Sequence, residues 1–244
     1  MVTEMGTSPG PAPTLADLAA FLDRLLLADQ FRDAEDPAGV YRASEWPVGA
    51  VGLLLDPWEG LPTWIATEEI DALVVHRPWR LPLAELRDVG VLAYHLAFDE
   101  RLTLGYNPRL AAVLGMTDLD VLGRKDGRPI GMLGSVLEQP ATGFVDRLNH
   151  LFRGLEETVA GDHSAISRVA VVGAMTDALV REAAGRGATL YATGQIRAPA
   201  RVAMAETGLG VVAVGHHRSE VWGLRALAAV LRERWPGLRV VLAP

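Results

Sequence analysis

Four of the six histidines in this 244-residue chain follow apolar runs that read as buried strands: His76 after "ALVV", His95 after "VGVLAY", and His216 with His217 after "GVVAVG". Ligands of α/β sheets bind beyond the carboxyl ends of strands, where loops diverge, so this placement has chemical meaning. A single histidine at a strand exit is an ordinary boundary residue, but three strand ends that repeat it point to a site. Two of them carry a carboxylate four residues on: "HLAFD" supplies His95 and Asp99, and "HHRSE" supplies His216 and Glu220. Imidazole and carboxylate are ligands for zinc, manganese or iron(II) when thiolates are lacking, and the chain has no cysteine. A bridging carboxylate can also hold two cations whose repulsion would otherwise keep them apart. "HHRSE" has a second reading as a helix start, with Ser219 as N-cap and Glu220 favoured by the helix dipole. The two readings are compatible, because a helix start is a rigid mount for a ligand.

The elements that would position these residues alternate. Apolar β-type runs at 48–56, 72–76, 89–95, 168–175, 188–194, 210–217 and 238–244 are continuous, as in strands buried on both faces. Helical patterns fall at 62–70, 82–87, 107–114, 142–159, 176–185, 198–207 and 220–234, after a first helix that Thr14 caps and that carries the stripe Leu15, Leu18, Ala19, Leu22, Leu25, Leu26. Alternation of this kind predicts an α/β fold with largely parallel sheets. The stretch "GRKDGRPIGMLGS" at 123–135 breaks the rhythm and is read as the entry into a second α/β unit, and the Gly- and Pro-rich first dozen residues as a frayed tail.

Composition narrows the function. With half of its residues hydrophobic, the chain can bury a sizeable core. The formal net charge of -7 argues against a nucleic-acid coat, since phosphate binding needs clustered Lys and Arg, and the compact basic run "GRKDGR" reads as a solvated loop. The first helix is interrupted by Asp17, Asp23 and Arg24 and lacks a basic leader, so it reads as amphipathic and not as a signal peptide. A cytoplasmic protein without a membrane partner is the expectation. No G-x-G-x-x-G opens a helix after a strand, which disfavours a dinucleotide-binding enzyme.

In order, "ALVVHRPW", "VLAYHLAFDERLTLGYNPRLAAVLGM", "RVAVVGAM", "LYATGQI" and "VVAVGHHRSEVWGLRALAAVL" resemble the NIF-three-like family of dinuclear-metal hexameric-ring proteins, the GTP cyclohydrolase 1 type 2 homologues. The resemblance implies two α/β domains in the NIF-three-like fold, with residues 123–210 inserted into a metal-binding domain of residues 1–122 plus 211–244. It also implies a toroidal homohexamer, a ring of dimers or trimers, that carries one or two divalent cations per chain, zinc, manganese or iron. The implied activity is metal-dependent hydrolysis of a nucleotide or related phosphorylated molecule through an activated water, with ring-opening of GTP as the reaction most often attached to the name. Carried over residue by residue, the metal ligands fall on His76, Asp99, His216 and Glu220, with Glu220 between both metals. His95 lies near the centre as proton shuttle or further ligand, and with Glu220 makes the catalytic pair. His217 reads better as a supporting or surface residue.

Two departures stand out. The family usually has two adjacent histidines where this chain has His76 and Arg77, and an arginine stays protonated and cannot ligate a cation. Arg77 is therefore expected either to pair with Asp99 or Glu220 in place of one cation, leaving one metal or none, or to point away into solvent or a subunit interface. Gln195 stands where relatives commonly carry an acidic residue. The competing function is a noncatalytic ring that binds a metal or a partner.

Overall fold

The computed structural model describes residues 11–31, 36–86 and 88–244. Most of the opening tail, residues 1–10, lies outside these. The chain divides into two compact units, Met1–His95 with Leu224–Pro244, and Leu96–Gly223. The second is one uninterrupted segment. The chain is α/β, as the alternation predicts.

In the first unit, α1 (Leu15–Leu26) begins with a capping box, as expected of Thr14: the Asp17 amide donates to Thr14 Oγ1 at 3.1 Å, and the Thr14 amide donates to Asp17 Oδ2 at 2.9 Å. The sheet runs β1 (Ala38–Arg42), β4 (Gly90–Tyr94), β3 (Ala72–Val75), β2 (Ala50–Leu54), β13 (Arg239–Leu242) in spatial order. All are parallel except β1, which pairs antiparallel with β4. Every residue of β2, β3 and β4 is buried, which explains their continuous apolar runs. Over one face α2 (Leu61–Thr67) brings Leu61 and Ile65 against Leu54, Leu73 and Val75. The Tyr94 hydroxyl donates to Asp23 Oδ1 at 2.8 Å and so ties α1 to β4.

No helix forms at 82–86; these residues make turns, and Arg87 lies outside the described residues. A six-residue pattern is too short to nucleate by itself. The Arg42 guanidinium also donates to the Leu83 and Leu86 carbonyl oxygens and pins these residues.

The sheet of the second unit is more mixed than expected. Its order is β5 (Thr117–Val121), β8 (Gly131–Pro140), β10 (Ala165–Val172), β11 (Leu190–Thr193), β12 (Gly210–Ala213), β9 (Glu157–Val159). Only β10, β11 and β12 run parallel; β8 is antiparallel to both β5 and β10, and β9 to β12. The glycine-rich stretch at 123–135 lies within this unit. It holds a small hairpin, β6 (Arg124–Lys125) and β7 (Arg128–Pro129), and the start of β8. The helix expected over 142–159 is α5 (Ala141–Phe152), which ends on Arg153 at φ 57° and Gly154 at φ 133° before the chain turns into β9. A left-handed residue followed by glycine is a helix stop, so the "RG" was a legible signal. Helix α6 (Asp177–Gly185) and α7 (Arg201–Thr207) close the core around Val172, Met175, Val180, Tyr191 and Met204.

Three helices of this unit prepare the site. Helix α3 (Leu96–Leu102), unforeseen in the sequence, is followed by a buried brace before α4 (Pro108–Leu114). The Thr103 hydroxyl donates to Asp99 O at 2.7 Å, Asn107 Nδ2 donates to Thr103 O at 3.1 Å, and the Leu110 amide donates to Asn107 Oδ1 at 3.1 Å. Asn107 is the N-cap of α4 and Pro108 its first residue, so "GYNP" is a helix start that also fixes the end of α3. Helix α8 (His216–Arg234) approaches α3 at Gly223, where an added Cβ would lie 2.7 Å from Phe98 Cζ and 3.1 Å from Leu102 O.

That contact sets two effects against each other. Gly223→Ala gains about 1 kcal/mol of helix propensity against an overpacking cost of about 1–3 kcal/mol, so it is expected to be mildly destabilising. Gly223→Val has a smaller propensity gain and more bulk, and is expected to lower the thermal midpoint in circular-dichroism melts by about 2–4 °C per kcal/mol lost. A valine variant that melts at or above the parent would contradict this packing account.

Candidate metal centre

Within the second unit, two helix starts bring three potential ligands together. Asp99 stands in the first turn of α3. The backbone amides of Val214 and Gly215 carry on the ladder from β11 to β12, donating to Thr193 O and Gly194 O at 2.9 Å each, and Gly215 at φ 94° then turns the chain directly into α8. His216 is the first residue of that helix and Glu220 lies one turn on, with His216 Nε2 at 3.0 Å from Glu220 Oε1. One ligand atom from each of Asp99, His216 and Glu220 falls within 4.8 Å of the others. Glu220 is 1 % exposed and His216 61 %, so the carboxylate is sealed and the imidazole faces outward. The neighbouring carboxylate, Glu100, is engaged elsewhere by both Nε and Nη2 of Arg128 at 3.1 and 3.2 Å. Burial holds the Arg101 guanidinium below its ordinary pKa, with Glu100 opposing the shift.

The helix-start reading of "HHRSE" holds in a changed form. The helix begins at His216, three residues before Ser219, which sits inside it and donates through its hydroxyl to His216 O at 2.6 Å. His217 is exposed in the first turn. Gln195 follows β11 and lies 3.5 Å from Glu156 Oε1.

The first unit holds the other two histidines singled out by the sequence. His76 follows β3, and its amide donates to Leu54 O at 3.0 Å while that of Arg77 donates to Leu55 O at 2.8 Å, so the ladder with the β2 chain continues past the strand end. His95 follows β4, the strand paired with β3. The two imidazoles stack at 4.8 Å between centroids, tilted by 52°, with His76 buried. His95 Nδ1 meets Asp36 Oδ1 at 2.6 Å. An ionised carboxylate only accepts, so Nδ1 carries the proton and Nε2 is the basic nitrogen of the neutral ring. Trp79 packs against the same ring at 5.1 Å and 81°. Arg77 Nη1 donates to Asp56 Oδ2 at 2.9 Å.

Of the residues predicted from sequence, the structure therefore assembles Asp99, His216 and Glu220 in one unit and His76 with His95 in the other. Two residues escaped the sequence reading. Asp36 sits 59 positions before His95 in a segment without periodicity, and Trp79 follows "HRP" with no spacing to mark it.

A family model described as Duf34/NIF3 (NGG1p interacting factor 3) matches residues 80–243, which take in His95, Asp99, His216 and Glu220 and begin just after His76 and Arg77. The chain belongs to the Duf34/NIF3 family. A Deinococcus radiodurans protein named GTP cyclohydrolase 1 type 2 homolog is 30% identical over 180 residues, covering 68% of each chain. An Allochromatium vinosum protein of the same name is 26% identical over 236 residues, covering 90% of this chain and 91% of its own. The crystal structure of TTHA1606 from Thermus thermophilus matches with a TM-score of 0.74 at 25% identity, covering 95% of this chain and 98% of that one. The NIF3 fold read from the sequence is thereby supported over nearly the whole chain. Among the described residues, no helix is long and apolar enough to cross a membrane.

The Asp36 contact yields a measurable expectation. In long-range proton–nitrogen NMR spectra of the histidine side chains, neutral His95 should appear as the Nδ1–H tautomer, and Asp36→Ala should return it to a mixture of both. An unchanged tautomer in the variant would show that Asp36 does not set it.

Proposed function

We propose that this NIF3-family protein is a divalent-cation-dependent hydrolase acting on a nucleotide or related phosphorylated small molecule. Its relatives' name, GTP cyclohydrolase 1 type 2 homolog, makes ring-opening of GTP the first reaction to examine. The observation that carries the proposal is the meeting of Asp99, His216 and Glu220 around a sealed carboxylate. One imidazole nitrogen and two carboxylates form a donor set suited to zinc, manganese or iron(II). Asp99, His216 and Glu220 would hold the cation; His76 is added to the ligand set by the family resemblance alone.

A bound cation supplies Lewis acidity, which brings the pKa of water to about 7 and makes a nucleophile available at neutral pH. The protein's own share is orientation and proton transfer. Asp36 keeps the proton of His95 on Nδ1, so that Nε2 takes a proton from the attacking water and returns it to the leaving group. The buried setting of Glu220 keeps bulk water from its carboxylate. With Arg77 in the usual place of a second histidine and joined to Asp56, one cation per chain is the expected load. The assembly proposed from the family resemblance is a homohexameric ring.

Metal analysis of the purified protein is expected to give about one tightly held cation per chain, lost in Glu220→Gln, and the loaded protein to release formate from GTP. Two tightly held cations per chain would overturn the reading of Arg77. A cation-loaded protein inactive on a panel of nucleotides and phosphate esters would overturn the hydrolase reading in favour of a noncatalytic ring.

A further inference from the structure

We infer that Trp79 and Arg80 form the recognition element of this site, Trp79 stacking on a planar heteroaromatic ring and Arg80 pairing with a phosphate attached to it. The inference rests on the function proposed above and adds which residues select the substrate.

The argument begins with the short segment after β3. His76 and Arg77 are still tied to the β2 chain by backbone hydrogen bonds. The chain then closes a tight turn in which the Leu81 amide donates to Pro78 O at 3.0 Å, with Pro78 itself buried. This closing bond defines a β-turn with Trp79 and Arg80 as its two central residues, and the buried ring of Pro78 anchors its start. Both are exposed.

Trp79 is 56 % exposed, and the part of the indole that is covered meets the His95 ring at 5.1 Å. Behind His95 lies His76, at 4.8 Å. A large aromatic surface is thus held at a fixed position beside the imidazole assigned to proton transfer while much of it stays in water. Exposed aromatic planes bind flat rings of any base sequence-independently, because every base offers a π face. Arg80 supplies the second half. Among the described residues its guanidinium is engaged by no carboxylate or carbonyl, whereas Arg77, three residues before it, is held by Asp56. A planar guanidinium suits bidentate phosphate binding. Spaced one residue apart on one turn, the pair fits a molecule with a heteroaromatic ring and a phosphate, which is a nucleotide.

The test is equilibrium binding to the full-length, zinc-loaded protein, measured by calorimetry with guanosine 5′-monophosphate, guanosine and ribose 5-phosphate, with the cation content of every variant determined. Trp79→Ala is expected to weaken guanosine 5′-monophosphate and guanosine by roughly 5- to 100-fold and to leave ribose 5-phosphate unchanged, with Trp79→Phe restoring most of the loss. Arg80→Ala should weaken the two phosphorylated ligands and spare guanosine. Equal weakening of all three ligands by Trp79→Ala, no weakening at all, or no measurable binding of guanosine 5′-monophosphate to the parent protein would overturn the inference. So would a change of oligomeric state in Trp79→Ala with binding intact, which would make the indole a subunit contact. Because binding is read without turnover, an inactive protein that still discriminates the three ligands sinks the hydrolase reading alone. An active protein indifferent to Trp79→Ala sinks this one alone.

Discussion

Two carboxylates and one imidazole confined within 4.8 Å are the constraint that the Leu96–Gly223 unit has to satisfy. At that separation two negative charges repel by at least about 3 kcal/mol at an effective dielectric constant of about 20. Burial makes matters worse for Glu220, because a carboxylate withdrawn from water needs a compensating positive group. His216 at 3.0 Å can supply it when protonated, and a divalent cation can supply more. The inner ligand is acidic and sealed while the outer one is an exposed imidazole.

The backbone bears this load by placing each ligand on a short, well-anchored helix start instead of a loop. Asp99 is held by a three-link chain of buried hydrogen bonds through Thr103 and Asn107 to the first turn of α4. Glu220 is held because α8 grows straight out of the β11–β12 ladder, with Gly215 taking the one left-handed step that the turn requires. Gly223, three residues beyond Glu220 and on the same face, lets α8 come close to Phe98, the neighbour of Asp99. Repulsion between the ligands is thus resisted by packing. The Glu100–Arg128 pair removes the only adjacent side chain on α3 that would add another negative charge.

How much of this the sequence disclosed follows from which interactions are local. The strands β2, β3, β4, β11 and β12 were legible because both faces are buried and their composition shows it, and β10 because its second half is buried in the same way. Strands β5, β8 and β9 were not, since their residues are partly exposed and their identity depends on antiparallel partners far along the chain. Helix α3 was hidden for a related reason. Seven residues are too few to show a period, and the helix is stabilised from outside by Thr103 and Asn107. The His and carboxylate pairs were visible because i, i+4 spacing leaves a mark in the sequence. Asp36 left none, because its partnership with His95 spans 59 residues and exists only once β1 and β4 have paired.

Arg77 shows how the residue after His76 can vary while the strand end stays intact. Its amide keeps the backbone bond to Leu55 O that any residue at this position would make, so the strand end does not depend on the side chain. The guanidinium meets Asp56, two residues past the end of β2, in a half-exposed pair of the kind worth about 0–1 kcal/mol. That is too weak to dictate structure and sufficient to answer the new charge where it arises. A histidine at 77 would offer a neutral donor to a cation, whereas arginine is a permanent cation that no metal can displace from its proton. The difference between this chain and a two-histidine pattern therefore lies in the number of neutral donors at this strand end.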